Sequence, residues 1–258
     1  MQLTPPFYLA QIFEQLVLPG SRKRLIKALV RHSNSTFTDL VAGKGEGSVF
    51  LLYGPPGVGK TLTAEAISEM LHKPLFSVSI GSLGTTPGEL ETKLGEILSL
   101  GSRWGALILL DEADIFLEKR SATGSLERNA MVSVMLRLVE YFRGVLFLTS
   151  NRVKQLDPAF KTRITLALRY DELDIAARVK VWTNLLRASG HAAQLESGEI
   201  KTKALAEHAL NGREIKNAIR LAMALAMDDG KALDQTSLDE TLVILKDFNR
   251  ELEEAATY

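Results

Sequence analysis

The stretch GPPGVGKT, residues 54–61, limits the chain more than any other, because it fits GxxxxGK[ST] and sits between a strand-like run and a helical pattern. SVFLLY (48–53) precedes it, and Leu62 to Leu71 follows at helical spacing. Gly54, Gly57 and Gly59 let the backbone turn its amides inward around phosphate oxygens, and the next helix offers its positive end to the same charge. The cradle therefore comprises Gly54, Pro55, Pro56, Gly57, Val58, Gly59, Lys60, Thr61 and Leu62. Lys60 is expected to reach the outer phosphates and Thr61 to bind a metal, so the expected ligands are ATP and Mg2+.

A strand, a phosphate loop and a helix need a sheet around them. Four more short apolar runs follow, at 74–80, 106–110, 144–150 and 164–170, separated by helical patterns. They predict an α/β fold, a five-stranded parallel sheet covered by helices on both faces. The helix before 144 reads with Met131, Met135, Leu138 and Phe142 on one side, Ser125 as its cap and Gly144 as its stop. After Tyr170 strand runs cease and helices are expected near 172–188, 199–209, 212–228 and 236–254, with a loop bracketed by Ser189, Gly190, Ser197 and Gly198. The expected organisation is an approach segment and helix at 1–40, a nucleotide-binding domain at 41–170 and a small all-helical lid at 171–258. In the first, Ser21 reads as the N-cap of a helix with Leu25, Ile26, Leu29 and Val30 inward and a solvated basic face.

Two acids, Asp111 and Glu112, end the third run. A carboxylate at that edge of a parallel sheet lies beside the phosphate loop, so Asp111 joins Thr61 as a metal ligand and Glu112 is placed to activate a water as general base. The surrounding letters spell DEAD, and SAT follows at 121–123. A helicase of that type needs a second nucleotide-binding lobe, where this chain has helices, and SAT falls in a charged turn. Asp114 reads as a polar residue opening a helical turn.

The 31 basic and 31 acidic residues cancel, so no global field draws nucleic acid, and no nucleic-acid partner is expected. The absence of cysteine excludes disulfides, thiolate metal sites and thiol nucleophiles. No apolar run approaches the roughly 18 residues of a membrane span, the N-terminus does not read as a secretory signal, and an intracellular location is expected.

TSNRVKQLDPAFKTRI, 149–164, carries a resemblance: together with LLYGPPGVGKTLTAEA, LLDEADIFLEKR and LNGREIKNAIR, it is similar to the AAA branch of the AAA+ ATPases, notably to a C-terminal domain of large fungal proteins. The similarity covers about residues 46–225 and implies a substrate-handling part N-terminal to them. It also implies that Asn151 is the sensor orienting the attacking water, that Arg163 is an arginine finger for a neighbouring subunit's ATP, and that Arg213 is a lid arginine on the γ-phosphate. Arg152 would support the subunit contact. The implied partners are further copies of the chain, six by resemblance, and an unidentified protein substrate. Two departures stand out: Leu166 occupies the place of a second arginine, and the loop GSLGTTPGE (81–89), where threading relatives carry an aromatic residue, offers only Leu83 as a weak grip.

Overall fold

A computed structural model describes residues 10–31, 47–117, 126–152 and 156–255. Five strands, β1 (Ser48–Tyr53), β2 (Leu75–Ser79), β3 (Leu107–Asp111), β4 (Val145–Ser150) and β5 (Leu166–Arg169), form one parallel sheet in the order β2-β3-β4-β1-β5. The helices before and among them are α1 (Ala10–Gln15), α2 (Gly20–Arg31), α3 (Lys60–Leu71), α4 (Pro87–Trp104), α5 (Asp114–Leu117), α6 (Leu126–Tyr141) and α7 (Pro158–Lys161).

β1, β3 and β4 read as apolar runs because both of their faces are covered. Val49, Leu51, Ile108, Leu110, Leu146 and Leu148 face one layer, with Leu90, Leu94 and Leu98 of α4 and Val132, Met135 and Leu136 of α6. The alternate residues Phe50, Leu52, Leu107, Leu109, Val145 and Phe147 face Ala64 and Ile67 of α3, Ile26 and Val30 of α2, and Phe13 of α1. Phe50 and Phe147 are register partners whose rings stack at 5.0 Å. Since all five strands run the same way, β1, β3 and β4 deliver their C-terminal residues to one edge, where open α/β sheets hold ligands.

Residues 172–258 form a second compact unit with a core of its own. Its helices are α8 (Ile175–Ala188), α9 (Ala192–Glu196), α10 (Thr202–Leu205), α11 (Gly212–Asp228) and α12 (Gln235–Ala255). Trp182, Leu186, Leu205, Ile215, Ile219 and Leu238 pack together inside it.

Local differences from the expected elements have local causes. Ser21 lies inside the first turn of α2, not before it, and Leu25 is 44% exposed. Lys23 and Arg22, expected on a solvated face, donate to the carbonyls of Glu14 and Arg169. The loop expected between Gly190 and Gly198 contains α9, a helix too short to show a period. The buried stripe of α6 is Val132, Met135, Leu136 and Val139, which places Met131 and Leu138 at its margins. Leu83 is 1% exposed within the α4 side of the core, so it offers no grip on a substrate. Thr86 and Glu89 form a capping box that starts α4. Ser121 to Ser125, which include SAT and the expected cap of α6, lie outside the described residues.

Candidate functional site

β1 ends at Tyr53 and the chain turns at once. Gly54 donates its amide to the Ser150 carbonyl at 3.1 Å, at φ 146°, and a Cβ there would lie 2.1 Å from the Tyr170 carbonyl oxygen. Only glycine fits. At the other end of the loop Gly59 adopts φ 98°, in the left-handed region, and leads directly into α3. No side chain caps α3 and no acid lies in its first turn, so its first amides remain open to an anion.

Lys60, 8% exposed, folds back within this loop. Its ammonium donates to the carbonyls of Gly54 at 2.8 Å and Pro55 at 2.6 Å and to Asn151 Oδ1 at 2.8 Å. The lysine of the 54–61 loop and the polar residue just past β4 thus meet across 91 positions of sequence. Val58 packs partly buried on the α3 side of the core, whereas Leu62 is 45% exposed.

Asp111 ends β3, and Thr61 Oγ1 donates to its Oδ1 at 3.2 Å. A hydroxyl and a carboxylate are hard oxygen donors that suit Mg2+, which takes few protein ligands and keeps water or phosphate oxygens around itself. No group of three or more His, Cys, Asp or Glu among the described residues forms a protein-only metal cage. The donor set therefore fits a cation that shares its shell with a phosphate ligand.

Glu112 is exposed and has φ 59°, uncommon for a residue with a side chain. Thr149 holds it there. The Thr149 hydroxyl accepts from the Glu112 amide at 2.9 Å and donates to Asp111 Oδ1, and the Thr149 carbonyl accepts from the Ala113 amide at 2.8 Å. Asp114 does similar work on the next strand end: its Oδ1 accepts from the Ser150 hydroxyl and from the amides of Asn151 at 3.1 Å and Arg152 at 3.0 Å. Asp114 is thus more than a polar start to α5. It fixes the turn that presents Asn151.

The arginines are dispersed. Arg163, just after α7, pairs with Glu140 of α6 at 2.6 Å and donates to the Ala159 carbonyl at 2.9 Å, while its buried Nε has no partner among the described residues. Arg152 is exposed. Arg213, also exposed, lies in the first turn of α11 behind an Asn211–Glu214 capping box, in the second unit. In the first unit the structure pairs Lys60 with Asn151 and its chain neighbour Thr61 with Asp111, two hydrogen-bonded contacts set side by side by α3, with Glu112 adjoining Asp111 in sequence. The supporting contacts of Thr149, Asp114 and Glu140 escaped the sequence reading because their partners lie 23 to 38 positions away.

Residues 50–171 match the family described as the ATPase family associated with various cellular activities (AAA). The chain contains an AAA ATPase domain. Among curated relatives, an ATPase family AAA domain-containing protein of Arabidopsis thaliana (FIGL1) is 28% identical over 82% of this chain and 33% of its own length. The ATPase family gene 2 protein of Schizosaccharomyces pombe is 26% identical over 85% of this chain and 26% of its own length. A rat homologue B of that protein reaches 34% identity over 43% of this chain and 16% of its own. The chain thus spans a third or less of these relatives. The matched AAA segment runs from β1 to the residue after Tyr170 and includes the Lys60–Asn151 and Thr61–Asp111 contacts. Among the described residues no helix is long and apolar enough to cross a membrane.

Proposed function

We propose that the AAA domain binds ATP with Mg2+ and hydrolyses it within an oligomer of this chain, and that the cycle remodels a bound protein. One observation carries the reading: the ammonium of Lys60, the hydroxyl of Thr61, the carboxylate of Asp111 and the amide of Asn151 converge at the C-terminal edge of a parallel sheet, beside a helix with open amides. In this reading the loop amides and Lys60 hold the phosphates. Thr61 and Asp111 would hold Mg2+, which would supply charge neutralisation at the terminal phosphates. Glu112 takes the proton of the attacking water and Asn151 orients that water. Arg163 acts on a neighbouring copy's nucleotide and Arg213 of the helical unit acts on the γ-phosphate, both by family resemblance.

The test is turnover per subunit against protein concentration, for the parent and Glu112→Gln. Turnover that rises with concentration and falls on the order of 10²- to 10⁴-fold in the variant supports a general base working in an assembly. Tight ATP binding with negligible turnover at every concentration supports a second reading, a nucleotide-controlled scaffold. That alternative draws on the engagement of Arg163 by Glu140 within its own chain and on Leu166 in place of a second arginine.

A further inference from the structure

Tyr170 and Thr63 are buried hydroxyl residues that the chemistry above does not use. Thr63 is fully buried in α3 and Tyr170 is 6% exposed just past β5. Their hydroxyl oxygens lie 2.7 Å apart, and Thr63 Oγ1 donates to the Gly59 carbonyl at 2.9 Å. Thr63 has a single hydroxyl proton, and a carbonyl can only accept. The order of donors is therefore fixed: Tyr170 O–H gives to Thr63, and Thr63 O–H gives to Gly59. Burial pushes the Tyr170 phenol up to about 12, which keeps its proton in place.

The same tyrosine touches the other end of the loop. Its amide donates to the Tyr53 carbonyl at 2.8 Å, and its own carbonyl stands where a Gly54 side chain would go. Tyr170 therefore spans the mouth of the loop, from Tyr53 and Gly54 to Gly59, and stands two residues before the second unit begins at Glu172.

We propose that Tyr170, acting through the Thr63 hydroxyl, is a positioning residue that braces both ends of the phosphate loop and ties its shape to the chain leaving the α/β unit. The proposal rests on the reading of residues 54–61 as a nucleotide cradle. Gly59 turns through the left-handed region and its carbonyl begins α3, so a bond on that carbonyl limits how the amides of 57–61 can swing. Loss of the relay leaves the fold intact and loosens the loop.

The experiment compares Tyr170→Phe, Thr63→Val, the double variant and Thr63→Ser in the full chain. Hydrogen exchange of the amides of 57–63 is read without nucleotide, and the Kd of Mg-ATP by calorimetry. Tyr170→Phe and Thr63→Val are each expected to speed exchange and to weaken binding roughly 3- to 10-fold. The double variant should be no worse than Thr63→Val, because one relay is lost only once, and Thr63→Ser should behave as the parent. Unchanged exchange in folded Tyr170→Phe overturns the proposal, as does a double variant that loses the sum of the two effects. A lower melting temperature with exchange and affinity intact likewise reduces the pair to a core contact and overturns it. If the parent binds no nucleotide, the proposed function falls, while the exchange data still decide the brace.

Discussion

At the residue scale, Thr149 couples the two acids of the β3 end, since its one hydroxyl supports the Glu112 amide and the Asp111 carboxylate together. Thr149→Val keeps the volume and removes both bonds, leaving the part-buried Glu112 amide without its protein acceptor at a cost of about 0.5 to 1.5 kcal/mol. Turnover should fall on the order of 10- to 100-fold because the carboxylates lose their placement, and Thr149→Ser should restore most of it. Steady-state kinetics of the pair check this, and equal losses in Val and Ser variants would refute it. Tyr170 gives a second prediction at this scale. Its folded pKa, raised from 10.0 to about 12 by burial and only partly offset by the charge of Arg22, means the fold favours the protonated phenol. That contribution is complete below pH 10 and is lost as pH rises through 12, a span worth roughly 3 kcal/mol. Urea midpoints of the parent should fall toward those of Tyr170→Phe over this window, and curves that stay parallel would exclude the effect.

At the element scale, α4 lies close on β3 because Gly101 faces Ile108. A Cβ at Gly101 would stand 2.5 Å from Ile108 Cδ1 and 2.9 Å from Cγ1, with Ile108 wholly buried. Gly101→Ala should therefore destabilise by about 1 to 3 kcal/mol despite the better helix propensity of alanine. Ile108→Val, which removes the Cδ1, should recover part of that loss in the double variant by denaturant titration; an additive double variant would argue against the clash. Elements of this kind divide into what the sequence shows and what it hides. β1, β3 and β4 are legible because burial on both faces writes an apolar run, and the phosphate loop because its glycines and its lysine are adjacent in the chain. The face of α6 is less so, since Met131 and Leu138 are as apolar as the Val132 and Leu136 that win the interior. The supports of the candidate site were hidden for another reason. Thr149 with Asp111, Asp114 with Ser150, and Thr63 with Tyr170 are pairs made only when segments far apart in sequence become neighbours.

At the scale of the whole molecule, two separate cores imply two separable unfolding events. The α/β unit draws its buried core residues from 13–170 and the helical unit from 182–242. The two tryptophans divide between them: Trp182 is fully buried in the helical core, and Trp104, at the end of α4, is 66% exposed. In a Trp104→Phe background, the red shift of emission on unfolding therefore reports the helical unit alone. Mg-ATP at 100 times its Kd should stabilise the unit that binds it by about 2.7 kcal/mol, seen as a later loss of the sheet signal in circular dichroism. If Arg213 reaches the γ-phosphate as proposed, the Trp182 transition should move with the sheet transition when nucleotide is present, because the ligand then binds both units. Arg213→Ala should let the Trp182 transition fall back to its nucleotide-free position while the sheet transition keeps most of its shift. A Trp182 transition that ignores nucleotide in the parent would remove Arg213 from the proposed site and leave the 54–61 loop, Asp111 and Asn151, all in the first unit, as the proposed contacts to ATP.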